Sequence, residues 1–447
     1  MKPGSPKLPA AASSVLFWGV LIALLTLLGL HIAQPGRDGP ITNPTDFRAF
    51  YCSGRSVLAH ADPYRVEPLR SCEAASLTAA RLRWVRGMVV PTPQPPYTLA
   101  LFSLCGLLPF LTASALWFAL LVAAWLRTVM LLRDLTGLRI LWPALATLVL
   151  GLVASSAFGK MMPLTMWLFV EAAAALRNGH ERRAVWLVTF ATLEPQIGAP
   201  VWLALFALRP GARRGLALGA VSLLAVSLLA LGPQACLEWL TQVLPAQSMS
   251  ELRDPEQYSL TSFLVLAGTA PAAAHALGVG DYGLMLALGI WAAGRLESRW
   301  RDPAVIALIP PAFVVLGGMY LHENQLAAAI PIGLLALGRT QRAQFVLALL
   351  LLAIPWFSFA GNIFPQAGKA YSRTHSTATL PAVRPSDLAE VSWSRYVDAF
   401  APEGQSVAIA ALVKLPQWLG VALVVLPLLG LAAARPRPAG ALAAAPS

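Results

Sequence analysis

Charged side chains are scarce in this sequence: Asp, Glu, Lys and Arg make up 12% of its 447 residues, whereas hydrophobic residues make up 57%. A soluble domain carries about 25% charged residues, so this chain could not cover a water-facing surface. A cytosolic enzyme, a secreted module and a disordered chain are therefore excluded. The apolar residues form continuous runs of roughly 20 instead of alternating with polar ones, which also excludes an outer-membrane barrel. The composition predicts an all-α polytopic membrane protein.

Motifs of soluble enzymes are missing as well. The four cysteines include no Cys-x-x-Cys pair, and His322-Glu323 lacks the second histidine of a zinc-protease helix. The run from Gly361 to Lys369 ends in Gly-Lys but does not have the spacing of a phosphate-binding P-loop. These absences argue against a structural zinc site and against a P-loop activity.

The net charge of +12 does not indicate a nucleic-acid partner, because the arginines lie in short clusters between the apolar runs. That distribution is expected for the cytoplasmic loops of a membrane protein. We therefore predict membrane lipids, and no nucleic acid, as partners. The clusters lie at residues 177–183, 209–214, 295–301, 339–342 and 435–437.

The chain divides into apolar segments and two longer polar stretches. The first apolar run follows Lys2 and Lys7, has no cleavage site close behind it and is predicted to be an uncleaved signal anchor. The first polar stretch contains two amphipathic segments, 48–60 and 64–86, which are expected on the membrane surface. The predicted order is cytoplasmic N-terminus 1–13, first span 14–33, extracytoplasmic loop 34–94, transmembrane bundle 95–359 with short outer loops, extracytoplasmic loop 360–406, last span 407–431 and cytoplasmic tail 432–447.

The bundle is expected to contain about 10–12 transmembrane helices, and an even number places both chain ends in the cytoplasm. Simple alternation would put residues 177–183 outside. If 96–110 is re-entrant and 184–208 is a hairpin broken at Glu194-Pro195, every basic cluster lies inside, and we prefer this version. Residues 232–262 and the turn at 322–324 face outside in both. After the anchor, the candidate segments are 96–110, 112–132, 140–157, 161–176, 184–208, 216–231, 281–294, 303–320, 325–338, 343–359 and 407–431.

The first polar stretch carries the most specific motif. It reads Thr45-Asp46-Phe47-Arg48-Ala49-Phe50-Tyr51, then Gly54-Arg55, then Asp62-Pro63-Tyr64. This pattern resembles the start of glycosyltransferase family 87, whose members are integral-membrane enzymes of the GT-C fold. Further resemblances, over roughly residues 14–360, are Pro95-Pro96, Leu107-Leu108-Pro109, Gly159, Glu194-Pro195, Ser259-Leu260 and Tyr320-Leu321-His322.

The resemblance implies a GT-C-like bundle with a large first extracytoplasmic loop. It also implies an inverting transfer of a sugar, mannose above all, from a polyprenyl monophosphate donor to a lipid or glycan acceptor at the outer face of the cytoplasmic membrane. No cofactor is implied, and the sequence leaves a metal requirement open. Two alternatives are a transporter or flippase, since broken helices and intramembrane charges also occur there, and a family member that has become a structural protein.

A sugar phosphate donor needs a base for the acceptor hydroxyl and cations for the departing phosphate. Asp46 is the candidate base; without the resemblance, it would be interpreted as a helix cap. The candidates for binding the donor phosphate or sugar are Arg48, Arg55, Lys160, His322 and Glu323. His322 could also be merely interfacial, and Glu323 could be a helix-start charge.

Two positions depart from the family pattern. Lys160 stands where glutamine is usual, and Glu194 stands where lysine is usual. Because either charge alone would be costly at membrane depth, we expect the two side chains to form an ion pair.

Cys52 and Cys72 both lie in the first outer loop, where an oxidising compartment would preserve a disulfide. Closing this loop would stabilise the fold by roughly 3 kcal/mol. Two alternatives are reduced buried thiols and a bond to Cys236. Cys105, within a predicted span, is expected to be a free thiol.

Overall fold

A computed structural model describes residues 43–80, 88–254, 257–354, 356, 382–400 and 407–434. Within these ranges the secondary structure is helical, and extended pairing is limited to two isolated bridges, Arg65 with Leu388 and Gln257 with His322. The predicted all-α class is confirmed. The signal anchor at 14–33 and most of the tail at 432–447 lie outside the described residues.

Short connections join the helices. The bounds are α1 Thr45–Leu58, α2 Val66–Ala79, α3 Pro96–Gly106, α4 Phe110–Thr136, α5 Leu141–Phe158 with a π-helical turn at Leu148–Val153, α6 Met162–Arg177, α7 Glu181–Ala191, α8 Pro195–Leu208, α9 Arg213–Glu238, a π-helical turn Trp239–Val243, α10 Leu244–Ser250, α11 Leu260–Leu266, α12 Pro271–Trp300, α13 Val305–Val314, a 3-10 helix Glu323–Ala329, α14 Ile330–Thr340, α15 Ala343–Ala353, α16 Ala389–Phe400 and α17 Val407–Ala433.

Among the described residues, five helical segments are long and apolar enough to cross a membrane: α4, α5, the continuous run Pro210–Ser250, α12 and the Val413–Ala433 part of α17. The apolar window of Pro210–Ser250 is only 17% buried, and that of α12 only 22%. Their leucine and valine side chains therefore face outward, where lipid would cover them, while every backbone group in a helix is bonded internally. A polytopic membrane protein is confirmed.

The segment predicted as a hairpin at 184–208 is two helices, α7 and α8, with a turn at 192–194 between them. The predicted break at Glu194-Pro195 is confirmed. Gly198 allows the two helices to approach, since a Cβ there would lie 2.1 Å from the carbonyl oxygen of Ala191. Helix α3 covers 11 residues, or about 16 Å, which is half of a hydrocarbon core and agrees with a re-entrant segment.

Other bounds differ from the prediction. The span expected at 303–320 ends at Val314, because Gly317 and Gly318 follow with positive φ values of 145° and 82°. The chain stays helical from Gly232 to Ser250, after a kink at Gly232 where φ is 79°. Helix α1 is largely buried within the protein, so most of its side chains pack on protein.

The two ends of three bundle helices carry different kinds of side chain. Lys160 precedes α6, Glu194 precedes α8, and His322 precedes the 3-10 helix that leads into α14. Each of these three helices has an arginine at or just after its other end. Two of those arginines, Arg177 and Arg339, both bind the carboxylate of Asp302, which is 2% exposed. The arginine ends are therefore clamped together, and the polar ends gather at the opposite end of the bundle.

The segments predicted as separate outer loops pack on one another. Arg65 pairs with Leu388, and the backbone N–H of Ala389 donates to the carbonyl of Tyr64 at 2.9 Å. The backbone N–H of Val89 donates to the hydroxyl of Ser392 at 3.2 Å. Helices α1, α2 and α16 therefore form one unit above the polar ends of the bundle.

Gly54 allows α1 to cross α3 at close range, since a Cβ at Gly54 would lie 2.3 Å from the carbonyl oxygen of Phe102. We predict that Gly54→Ala destabilises the fold by about 1–3 kcal/mol through overpacking. Gly280→Ala is the matched control, because nothing lies within 4 Å of a Cβ at that helical position and alanine is favoured there by roughly 0.5–1 kcal/mol. Thermal unfolding in detergent should rank Gly54→Ala below wild type and Gly280→Ala at or above it; equal unfolding temperatures would contradict the close crossing.

Candidate active site

Asp46 lies in the first turn of α1. The N-cap position is taken by Pro44, so Asp46 is not the N-cap residue that the sequence alone also allowed. Oδ2 of Asp46 lies 3.9 Å from Nζ of Lys160, which follows α5 by two residues. The Asp46 side chain is 28% exposed and that of Lys160 is 12% exposed. The structure therefore brings together two of the residues singled out from the sequence.

A contact between Phe47 and Gly159 sets this separation. Gly159 has a φ of +77°, and a Cβ there would lie 2.5 Å from the Cβ of Phe47. The carbonyl of Gly159 accepts a hydrogen bond from Nε1 of Trp117 at 2.9 Å. Asp46 precedes Phe47 in the chain, and Lys160 follows Gly159. The contact between Phe47 and Gly159 therefore also brings Asp46 close to Lys160.

Phe47 is fixed in turn by an aromatic cluster. Its side chain is fully buried, and its ring stacks on Trp117 with 5.5 Å between the centroids. It meets Phe102 edge-on at 6.3 Å, and Phe110 and Tyr51 complete the cluster. Such ring pairs contribute about 0.5–1.5 kcal/mol each beyond area burial, so the start of α1 is strongly anchored.

A second polar group surrounds His322. Nε2 of His322 lies 3.1 Å from Oε2 of Glu251 and 2.8 Å from the hydroxyl of Tyr320. Gln247 donates to the Tyr320 hydroxyl at 2.8 Å, and Gln257 donates to Oε2 of Glu251 at 2.7 Å. Shared hydrogen bonds of this kind fix the orientation of each member of the network.

The two groups are close enough for their charges to interact. Burial and the Lys160 ammonium lower the pKa of His322, but the Glu251 carboxylate outweighs them, and the resulting pKa lies above the usual value of histidine. Burial raises the pKa of Glu251, but the charge of His322 and its hydrogen bonds reverse the shift, and the resulting pKa is below the usual value. His322 and Glu251 therefore each favour the charged form of the other, and Lys160 lies within range of both.

Glu194 does not pair with Lys160 as predicted. Its Oε1 accepts a hydrogen bond from Nε2 of Gln325 at 2.7 Å, while Lys160 lies beside Asp46. The physical reason is the Phe47–Gly159 contact, which directs the residue after Gly159 toward the start of α1.

Arg48 and Arg55 are not grouped with His322. Arg48 is 2% exposed and lies 3.9 Å from Oε2 of the fully buried Glu73, between α1 and α2. Burial raises the pKa of Glu73 to about 8, although the charge of Arg48 opposes this shift. Arg55 lies about 13 Å further along α1 than Asp46 and lines a groove of 460 Å³ beside the disulfide.

Glu323 starts the 3-10 helix that follows His322. Its Oε1 accepts a hydrogen bond from Nε2 of Gln417 at 2.7 Å. Glu323 therefore joins α17 to the segment that carries His322.

The sequence analysis did not single out Glu251, Gln257 or Gln325. Glu251 begins a mixed-charge run that is typical of a solvated turn, yet its side chain is 5% exposed. A glutamine three residues after His322 at the start of a helix is a capping pattern, and this signal could have identified Gln325. Glu251 and Gln257 carry no such local signal.

The structure joins Cys52 of α1 to Cys72 of α2 in a disulfide with 5.6 Å between the Cα atoms. Cys105 and Cys236 are free. The bond ties the helix that carries Asp46 to its neighbour in the outer unit. Among the described residues, no three His, Cys, Asp or Glu side chains are arranged to hold a metal ion.

Comparison with known families gives one match: the model of glycosyltransferase family 87 aligns with residues 94–321. This range contains Lys160, Glu194 and Glu251, and it ends at Leu321, one residue before His322. It does not contain Asp46. Searches of curated proteins and of solved structures each find no match.

The disulfide predicts a simple labelling pattern. In non-reduced protein that is denatured and alkylated, mass spectrometry should find Cys105 and Cys236 alkylated and the peptides of Cys52 and Cys72 linked. Cys105 and Cys236 serve as internal controls for complete alkylation, since both are free thiols in the structure. Alkylated Cys52 and Cys72 would contradict the bond.

Proposed function

The chain belongs to glycosyltransferase family 87, and we propose that it transfers mannose from a polyprenyl monophosphate carrier to a lipid or glycan acceptor at the outer face of the cytoplasmic membrane. The observation that carries this proposal is the meeting of Asp46 and Lys160 beside the His322–Glu251 pair. One carboxylate and two cations, at the end of the bundle opposite the arginine clusters, are the groups that a sugar phosphate donor requires.

Asp46 is the general base of the proposed reaction. It takes the proton of the acceptor hydroxyl as the acceptor oxygen attacks the anomeric carbon. The bond from that carbon to the phosphate oxygen breaks, and the polyprenyl phosphate leaves with the bonding electrons. A single displacement of this kind inverts the anomeric centre.

Lys160 and His322 hold the departing phosphate. A phosphate leaving group needs no proton, but it carries negative charge that grows as the bond breaks, and buried cations stabilise that charge. Of the phosphate candidates, Lys160 lies beside Asp46, and His322 lies next to Glu251, whose carboxylate favours the imidazolium form. Arg48 instead lies buried beside Glu73, between α1 and α2, which supports a structural role for it.

The proposed orientation follows from the helix ends. Arginines such as Arg177, Arg209 and Arg339 lie at the ends of α6, α8 and α14, and cytoplasmic loops carry such clusters. The opposite ends, with Asp46 and His322, then face outward, where a polyprenyl chain in the bilayer could present its phosphate.

The catalytic prediction concerns Asp46. Asp46→Asn removes the proton acceptor with little change in volume, so we expect transfer to fall by ~10²–10⁴-fold with expression and unfolding temperature preserved. The assay uses purified protein in lipid with labelled polyprenyl-phosphate mannose, arabinose and glucose, scored for release to water or to acceptor. Asp134→Asn, at an exposed position far from the site, is the control and should retain wild-type activity. More than about a tenth of wild-type rate in Asp46→Asn would reject the base assignment, and turnover of another sugar alone would reject mannose.

Topology provides an independent prediction. Single cysteines at positions 46 and 386 should react with an impermeant thiol reagent added to intact cells, and cysteines at positions 213 and 299 should react only after permeabilisation. The reason is that the first two belong to the outer unit and the other two to the arginine ends. The reverse labelling pattern would invert the proposed orientation.

A further inference from the structure

We propose that Glu194 is a positioning residue for His322, acting through the side-chain amide of Gln325. This role rests on the proposed function, in which His322 contacts the donor phosphate.

The three residues form one continuous set of hydrogen bonds. Nε2 of Gln325 donates to Oε1 of Glu194 at 2.7 Å. Oε1 of the same amide accepts from the backbone N–H of His322 at 2.9 Å. The side chain of Gln325 is 3% exposed, so no water competes for either end of the amide.

The carboxylate of Glu194 determines which way the amide points. Burial raises the pKa of Glu194, and the Gln325 hydrogen bond and the charges of Lys160 and His322 oppose this shift. In its ionised form the carboxylate only accepts hydrogen bonds, so the NH₂ group of Gln325 faces it. The carbonyl oxygen of the amide then faces the N–H of His322, which is a donor only. An amide turned the other way would bring two acceptors together at Glu194 and two donors together at His322. The charge on Glu194 therefore selects one orientation.

Glu194 can act as a fixed reference point because its own backbone is held. It precedes α8, and its carbonyl accepts from the N–H of Gly198 at 2.9 Å. The close contact of Gly198 with Ala191 fixes the turn that carries it. Its side chain is 4% exposed, and a buried charge that loses a partner costs several kcal/mol, so the Gln325 hydrogen bond persists.

Glu194 also affects the charge of His322, alongside other groups. Glu251, Lys160, Asp254 and Tyr320 surround His322, and the charges of His322 and Glu194 interact directly. Glu251 and Asp254 favour the imidazolium, and Lys160 opposes it. Removing the negative charge of Glu194 shifts the balance toward neutral imidazole, which binds phosphate less strongly.

The test measures binding of a polyprenyl monophosphate, the product of the proposed reaction, by tryptophan fluorescence between pH 6 and 9. This probe does not depend on the identity of the sugar. We expect Glu194→Gln to weaken binding about tenfold, since the amide of Gln325 would then bond to an uncharged and weaker acceptor. We also expect the loss of binding with rising pH to begin at a lower pH than in wild type, because the imidazolium deprotonates earlier.

The exchange Glu194→Gln with Gln325→Glu keeps a carboxylate–amide hydrogen bond and an acceptor for the N–H of His322. It should recover most of the affinity and move the pH profile back toward that of wild type, which a merely structural role would not require. Glu297→Gln, at the arginine end of α12, is the matched control and should bind as wild type does. If Glu194→Gln does not fold, Gln325→Met removes the same hydrogen bonds and should weaken binding to a similar extent.

The outcomes separate this proposal from the proposed function. If His322→Asn weakens binding but Glu194→Gln and Gln325→Met do not, the positioning role is wrong and the donor class stands. Failure of the exchanged pair to recover affinity would also overturn it. If wild type does not bind polyprenyl monophosphate, the donor class fails, and the role of Glu194 fails with it.

Discussion

The contact between Phe47 and Gly159 is the constraint on which the site depends. Gly159 has the left-handed backbone that ends α5 and lacks the Cβ that would collide with Phe47. The aromatic cluster of Trp117, Phe102 and Phe110 holds Phe47 from the other side. A helix start in the outer unit is thereby fixed to a helix start in the bundle, and this contact brings the two neighbouring residues, Asp46 and Lys160, together.

Two buried carboxylates each lie beside an opposite charge, one at either end of the bundle. Asp302 binds two arginines at one end of the bundle, and Glu251 binds His322 at the other. The two ends of the bundle nevertheless differ in how their charged side chains are used. The arginine end uses both oxygens of Asp302 in clamping helices, whereas the polar end gathers Asp46, Glu194, Glu251, Lys160 and His322. Such a concentration of titratable groups in a low-dielectric setting is costly unless function requires it.

The sequence predicted the class, the helical break at Glu194-Pro195 and a set of residues that includes the Asp46–Lys160 pair, because these depend on local composition or on short motifs. It did not predict Glu251 as the partner of His322, since the two residues are 71 positions apart and neither has a local pattern that indicates the other. The expected Lys160–Glu194 pair was wrong for a related reason. Charge complementarity alone does not specify which acidic residue Lys160 lies beside, whereas the backbone at Gly159 directs Lys160 toward Asp46. Hydropathy also predicted α13 to be longer than it is, because Gly317 and Gly318, which follow it, fit an apolar run as well as alanine does.

The two departures from the family pattern can be understood together. With glutamine and lysine at positions 160 and 194, a site of this geometry would carry its cation at the start of α8. In this chain the cation is at the start of α6, beside Asp46, and the start of α8 carries an anion instead. A lysine at 194 could only donate to Gln325, which would turn the amide and present its NH₂ group to the N–H of His322. A glutamate there selects the opposite orientation, in which the backbone of His322 has its acceptor. Moving the cation to Lys160 and placing a carboxylate at Glu194 are therefore compatible changes: one supplies charge for a phosphate, and the other holds the segment that supplies the second cation.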